Sequence, residues 1–98
     1  MKRSEAIEKL KAQADAIRAL GATSLYLFGS VARDEASAGS DLDLFIDHDR
    51  ERRFSLIDLV GIKLQLEDEL LTEVDVTTRD SLHPRLKNEI ENSAIRIF

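Results

Sequence analysis

The tightest constraint on this chain is the link between two of its apolar runs. Residues 24–28 (SLYLF) and 42–46 (LDLFI) each have the bulky apolar content and short length of a strand. Residues 29–41 (GSVARDEASAGSD) are all that joins them. Neighbouring parallel strands need a crossover of about a dozen residues or more. This link sits at that limit, so a mixed sheet is the expected arrangement.

The flanking segments supply the helices. Ile7, Leu10, Ala14, Ile17 and Leu20 recur at helical spacing. Ser4 suits the N-cap and Gly21 the C′ position of that helix. Residues 30–36 suit a brief helix, and 47–53 (DHDRERR) a solvated charged connector. Residues 54–71 predict a long amphipathic helix, buried along Ile57, Val60, Leu64 and Leu71 and widened by Leu56, Leu59, Leu66 and Leu70. Residues 73–78 (EVDVTT) alternate as a third strand. Ser81 then caps a last helix with Pro84 in its first turn, where a missing N–H costs nothing. Residues 94–98 (AIRIF) read equally as the end of that helix or as a short terminal strand. The order α-β-α-β-α-β-α predicts one α/β (α+β) domain over residues 1–98, a small mixed sheet covered by helices.

Charge and composition exclude several classes of function. A net charge of −5 is wrong for a protein that binds nucleic acid by neutralising phosphates. With no cysteine, neither a disulfide nor a thiolate metal site is available. No run approaches the roughly 20 apolar residues of a membrane span, and the basic start MKRSEAIEKLKAQ leads into no apolar stretch or cleavage site. A small cytoplasmic domain with a partner other than DNA is expected.

Three places carry chemistry. Gly29 directly follows a strand, where it lets backbone approach a ligand; with amides and a hydroxyl at Ser30 it makes a small anion cradle, or simply a turn and a cap. Asp41 and Asp43 are spaced to share one strand face while Leu42 and Leu44 point into the core. Two such carboxylates repel unless a cation joins them, and oxygen ligands suit Mg²⁺; the alternative is a turn residue and a solvated edge. Asp75 is an acid between Val74 and Val76, hence on the non-core face of the third strand. If that strand lies beside the second, Asp75 joins the pair as a third metal ligand or as a general base. A phosphate cradle, a following carboxylate pair and a later third acid are together the parts of metal-assisted nucleotidyl transfer.

Gly29-Ser30, ten intervening residues and Asp41-Leu42-Asp43 resemble the signature of the polymerase-β-like nucleotidyltransferases. Arg33 and SDLDL bring the chain closer to the minimal nucleotidyltransferase (MNT) domains, a resemblance that covers nearly the whole chain. It implies that Gly29, Ser30 and Ser40 contact the nucleotide, although turn preference makes Ser40 a cap before Asp41. It further implies that Asp41 and Asp43 bind Mg²⁺ and that Asp75 completes the metal site or activates the acceptor. Arg33 matches the family arginine, with a structural pairing to a neighbouring acid favoured over a phosphate contact. Thr72-Glu73 departs from the family, which often has glycine before the third strand. Domains of this kind commonly accompany a helical HEPN ribonuclease toxin, as antitoxins that transfer AMP from ATP to a toxin tyrosine. Such a function is expected here, with ATP as substrate and the toxin as partner in a hetero-oligomer. A non-catalytic antitoxin that masks the toxin, a small-molecule nucleotidyltransferase and a pure interaction module are the alternatives.

Other residues read as structural. His48 is expected in solvent within the charged connector, and His83 at a helix start. Arg50, Arg52 and Arg53 alternate with acids on a solvated face. Tyr26 belongs to the strand pattern of its neighbours Leu25 and Leu27.

Overall fold

In the computed structural model, which describes residues 1–36, 39 and 41–98, the two strands flanking the short link run antiparallel. They are β1 (Ala22–Phe28) and β2 (Leu42–His48). Antiparallel neighbours need no crossover, and among the described residues the link holds a four-residue helix, α3 (Gly29–Ala32). The long helix α4 (Leu56–Leu70) then carries the chain across to β3 (Val74–Thr78), parallel to β2 on its other side. The terminal segment, open between helix and strand in the sequence, forms a strand. β4 (Ile95–Arg96) pairs antiparallel with β1, and the mixed sheet has the order β3-β2-β1-β4.

The sheet has two unlike faces. On one, Leu25, Leu27, Leu42, Leu44, Ile46, Val74 and Val76 pack against two N-terminal helices, α1 (Arg3–Ala12) and α2 (Ala14–Ala19), and against α4. Alternation places Tyr26, Phe28, Asp43, Phe45, Asp47, Asp75 and Thr77 on the other. Phe45 is fully buried there, stacked on Tyr26 at 4.7 Å between ring centroids and tilted against Phe28 at 5.8 Å. Among the described residues no helix is long and apolar enough to cross a membrane.

Several sequence expectations are corrected. The first helix breaks at Gln13, and its N-cap position is Lys2, without a side-chain cap, not Ser4; Leu20 is exposed. α3 stops at Ala32 instead of reaching residue 36, and Asp34 turns the chain with φ +59°. β2 continues two residues beyond 46 because Asp47 and His48 find tertiary partners. His48 is therefore not solvated. It is half-buried, stacked on Phe54 at 4.7 Å, and its Nδ1 is buried without a hydrogen-bond partner. Ser81 lies in a 3-10 turn (Arg79–Ser81), and the last helix, α5 (Lys87–Ser93), begins beyond Pro84. The residue before a proline is disfavoured in helical backbone, which keeps His83 out of a helix.

The largest correction concerns α4. Its N-terminus is set by a reciprocal cap, in which the Asp58 amide donates to Ser55 Oγ and the Ser55 amide to Asp58 Oδ2 at 2.8 Å. The buried stripe is Ile62, Leu66 and Leu70, with Leu59 partly buried beside it. Leu56, Ile57, Val60, Leu64 and Leu71, expected in the core, are exposed, whereas Leu59, Leu66 and Leu70 lie on the buried side as expected. Leucine and isoleucine occur on both sides of this helix, so helical period alone does not choose the buried side.

Candidate active site

The strand register assembles the site. Asp43 on β2 lies directly opposite Asp75 on β3 and opposite Phe28 on β1. Leu42 and Leu44 on either side of Asp43 are fully buried in the core, so its carboxylate emerges on the other face, half-buried. Asp75 is exposed between buried Val74 and Val76. Asp41 sits one residue before β2, exposed at its mouth, where the expected strand bounds also left it.

Gly29 forms the wall next to Asp43. Its φ is +77°, a backbone state L residues rarely adopt. A Cβ there would run into the Asp43 carboxylate, 3.1 Å from its Cγ and 3.2 Å from its Cβ. The turn thus brings bare backbone against the acid. Ser30 follows in the first turn of α3, where backbone amides have no acceptor within the helix. Ser40, the remaining residue expected at the nucleotide, lies outside the described residues.

The charges of the acids are felt together. Burial raises the proton affinity of Asp43 above that of an ordinary carboxylate, and the negative charges of Asp75 and then Asp41 raise it further. Arg33 opposes them from the short helix. Its own ion pair is with Glu35, 3.1 Å from Nε to Oε2, and more than half exposed, hence weak. Arg33 therefore pairs locally, as expected, while its charge still reaches Asp43. Among the described residues no three His, Cys, Asp or Glu side chains converge tightly enough to hold an ion as they stand. In chemical type the donors suit a hard divalent cation: carboxylates of Asp43 and Asp75 at paired strand positions, with Asp41 just before β2, whose repulsion a positive charge would relieve. An apolar cavity of about 320 Å³ opens beside this wall, bordered by Phe28, Gly29, Arg33, Leu86 and Ile90.

One residue had no signal in the sequence. Arg79 donates from Nε to Asp47 Oδ1 at 2.8 Å, from Nη2 to Asp47 Oδ2 at 2.9 Å and from Nη1 to Glu91 Oε2 at 2.7 Å. Its guanidinium also lies over the rings of Tyr26 and Phe45, at 4.9 and 5.0 Å. Bonding to Arg79 holds Asp47 below the usual carboxylate range, aided by a 2.7 Å hydrogen bond from Ser24 Oγ. The clamp ties α5 to the acid-bearing face, and α5 supplies Glu89, Ile90 and Ser93 to the cavity wall. Asp47 and Glu91 lie far from Arg79 in sequence and their pairing has no local period, so only a long-range contact reveals it.

Known proteins resemble this chain in sequence and fold. The family described as "Nucleotidyltransferase domain" matches residues 7–97. The chain is 43% identical over 72 residues to "Putative protein adenylyltransferase MJ0435" of Methanocaldococcus jannaschii, covering 74% of this chain and 75% of that protein. It resembles the solved structure of a "putative minimal nucleotidyltransferase" at 36% identity, with a TM-score of 0.73 and coverage of 97% of this chain and 95% of the other. The fold also matches a chain from the complex of a tri-AMPylated Shewanella oneidensis HEPN toxin with MNT antitoxin. There the TM-score is 0.64 at 16% identity, over 90% of this chain and 68% of that one.

Proposed function

The chain belongs to the nucleotidyltransferase domain family, and from that premise we propose that it is an antitoxin that transfers AMP from ATP to a tyrosine of a HEPN ribonuclease toxin. The observation that carries the reading is the register that sets Asp43 against Asp75 with Gly29 closing on the same carboxylate. Two similarities support the reading: a relative is called a "putative protein adenylyltransferase", and a chain of like fold comes from a complex of an AMPylated HEPN toxin with MNT antitoxin.

Each residue has a role in this reading. The backbone of Gly29 and the amide and hydroxyl of Ser30 bind the triphosphate, and the family resemblance implies a further nucleotide contact from Ser40. The neighbouring apolar cavity receives the nucleoside. Asp41 and Asp43 would supply oxygens for Mg²⁺. The bound ion would neutralise charge on the triphosphate as pyrophosphate departs. The tyrosine oxygen forms a bond to the α-phosphorus while the bond from that phosphorus to the bridging oxygen of pyrophosphate breaks. Asp75, exposed at the sheet edge, takes the tyrosine proton. The added phosphodiesters place negative charge on the toxin, which repels RNA.

The test is incubation of the chain with ATP, Mg²⁺ and the protein that co-purifies with it, followed by intact mass. A gain of one or more adenylyl masses on a small helical partner, lost with Asp43→Asn and with Asp75→Asn, is expected. A stable complex in which the partner never gains mass would refute transfer and leave masking by contact.

A further inference from the structure

The surface that this function leaves unused is the outer side of α4. The helix carries two apolar stripes. One, Ile62, Leu66 and Leu70, is buried against the sheet. The other is about half a turn away and consists of Ile57, Val60 and Leu64, which are 82%, 44% and 59% exposed. Leu56 and Leu71 extend it at 75% and 88%, and Leu20 lies beside it. Among the described residues, Leu86 is the one other large apolar side chain left this exposed. The patch covers on the order of 600 Å², the upper end of what a monomer presents to water. A pair of such patches with their polar rims reaches the roughly 1,200 Å² at which specific interfaces begin.

Two details indicate what covers it. Gly61 lies inside the helix next to this stripe, where glycine costs about 1 kcal/mol relative to alanine. A Cβ at Gly61 would meet nothing within 4 Å, so packing within the chain does not require the glycine. A close-approaching second helix would. The charges are also arranged end to end. Arg52 and Arg53 stand exposed just before α4, whereas Asp68 and Glu69 stand exposed near its end, where no basic residue is present. Carboxylates at a helix C-terminus oppose its dipole. Among the described residues, neither Arg53 nor Asp68 has an ion-pair partner.

We propose that α4 packs antiparallel against α4 of a second copy of this chain, about a two-fold axis near Gly61. Val60 and Leu64 of each copy interlock across the axis, and Gly61 lets the backbones approach. The positive end of each helix, with Arg53, lies beside Asp68 of the other, so every contact is made twice. A protein acceptor does not fit this surface, because the sheet stands between it and the acids. A second copy has no need to reach them, and the pairing leaves both acid faces open.

The oligomeric mass of the purified chain, read without ATP or partner, tests this, so failure here leaves the transfer reading untouched. Sedimentation equilibrium is expected to show twice the 11.0 kDa chain mass. Leu64→Lys, on an exposed position, should give a monomer with an unchanged circular dichroism spectrum. Asp68→Arg should weaken association at least tenfold, and Arg53→Asp added to it should restore it. A single-chain mass up to about 1 mM, or a dimer indifferent to Leu64→Lys, would overturn the proposal. Equally fatal would be a monomer whose Leu64→Lys form loses only a heterologous partner.

Discussion

Replacing Gly29 with alanine isolates the contact on which the site is built. At φ +77° an L residue incurs about 1–2 kcal/mol of backbone strain. Alanine recovers about 0.4–1 kcal/mol by restricting the unfolded chain. The new Cβ also enters the space of the Asp43 carboxylate. Forcing that side chain off its rotamer costs about 0.5–1.5 kcal/mol more. The net expectation is a loss of about 2 kcal/mol. Gly39 provides the internal control: its φ is +89°, yet a Cβ there meets nothing within 4 Å. Gly39→Ala should therefore carry the backbone part alone, under about 1 kcal/mol. Urea unfolding of the two variants measures the difference, and adenylyl transfer measured by intact mass reports the displaced acid. A displacement on the order of 1 Å costs about 100-fold in rate, so Gly29→Ala should be nearly inactive and Gly39→Ala active. Equal stabilities for the two variants, with transfer retained in Gly29→Ala, would refute the claim that bare backbone at residue 29 holds Asp43 in place.

The other expectations concern charge. Because burial and neighbouring acids raise the pKa of Asp43 in the folded state, its ionisation opposes folding above the ordinary carboxylate range. Asp43→Asn should therefore raise the melting temperature at neutral pH, with the gain vanishing in acid, where both forms are uncharged; a variant less stable at neutral pH would contradict this. Asp75→Asn removes the larger of the two acidic neighbours acting on Asp43, so the Asp43 carbon resonance should titrate at lower pH, and an unmoved midpoint would place the two acids apart. Asp47 behaves oppositely: its pKa is lowered by Arg79, so the pair stabilises the fold above the ordinary carboxylate range and that stability is lost as pH falls through the folded-state pKa. With both partners about a third exposed, Arg79→Met should cost about 1–3 kcal/mol in urea unfolding at neutral pH and flatten the acid limb. No loss of stability would show that the clamp contributes nothing.

What the sequence determined by itself was local. Period-2 alternation around Asp43 and Asp75 is enough to put each acid opposite its apolar neighbours, because successive strand residues point to opposite faces whatever the strand pairs with. The shortness of the link after Phe28 already disfavoured parallel strands, since a crossover has a minimum length. The mixed sheet observed fits that limit, and the identity of Gly29 marked a turn before its neighbour was known.

Tertiary structure decided which local faces meet. The parallel register setting Asp43 against Asp75, and the fit of residue 29 onto the same carboxylate, join segments far apart in the chain and depend on packing no local pattern contains. On α4 the local signal was ambiguous: the expected face included Leu66 and Leu70, but its main stripe of Ile57, Val60, Leu64 and Leu71 faces outward. With apolar residues on two sides, the buried side is chosen by which shapes fill the space over β3, and Ile62, Leu66 and Leu70 fill it. Residues 95–96 became a strand because the edge of β1 was free to pair. Arg79 was invisible for the same reason in its sharpest form: a surface-type residue in sequence becomes a clamp only when the fold carries Asp47, Glu91 and two aromatic rings to it.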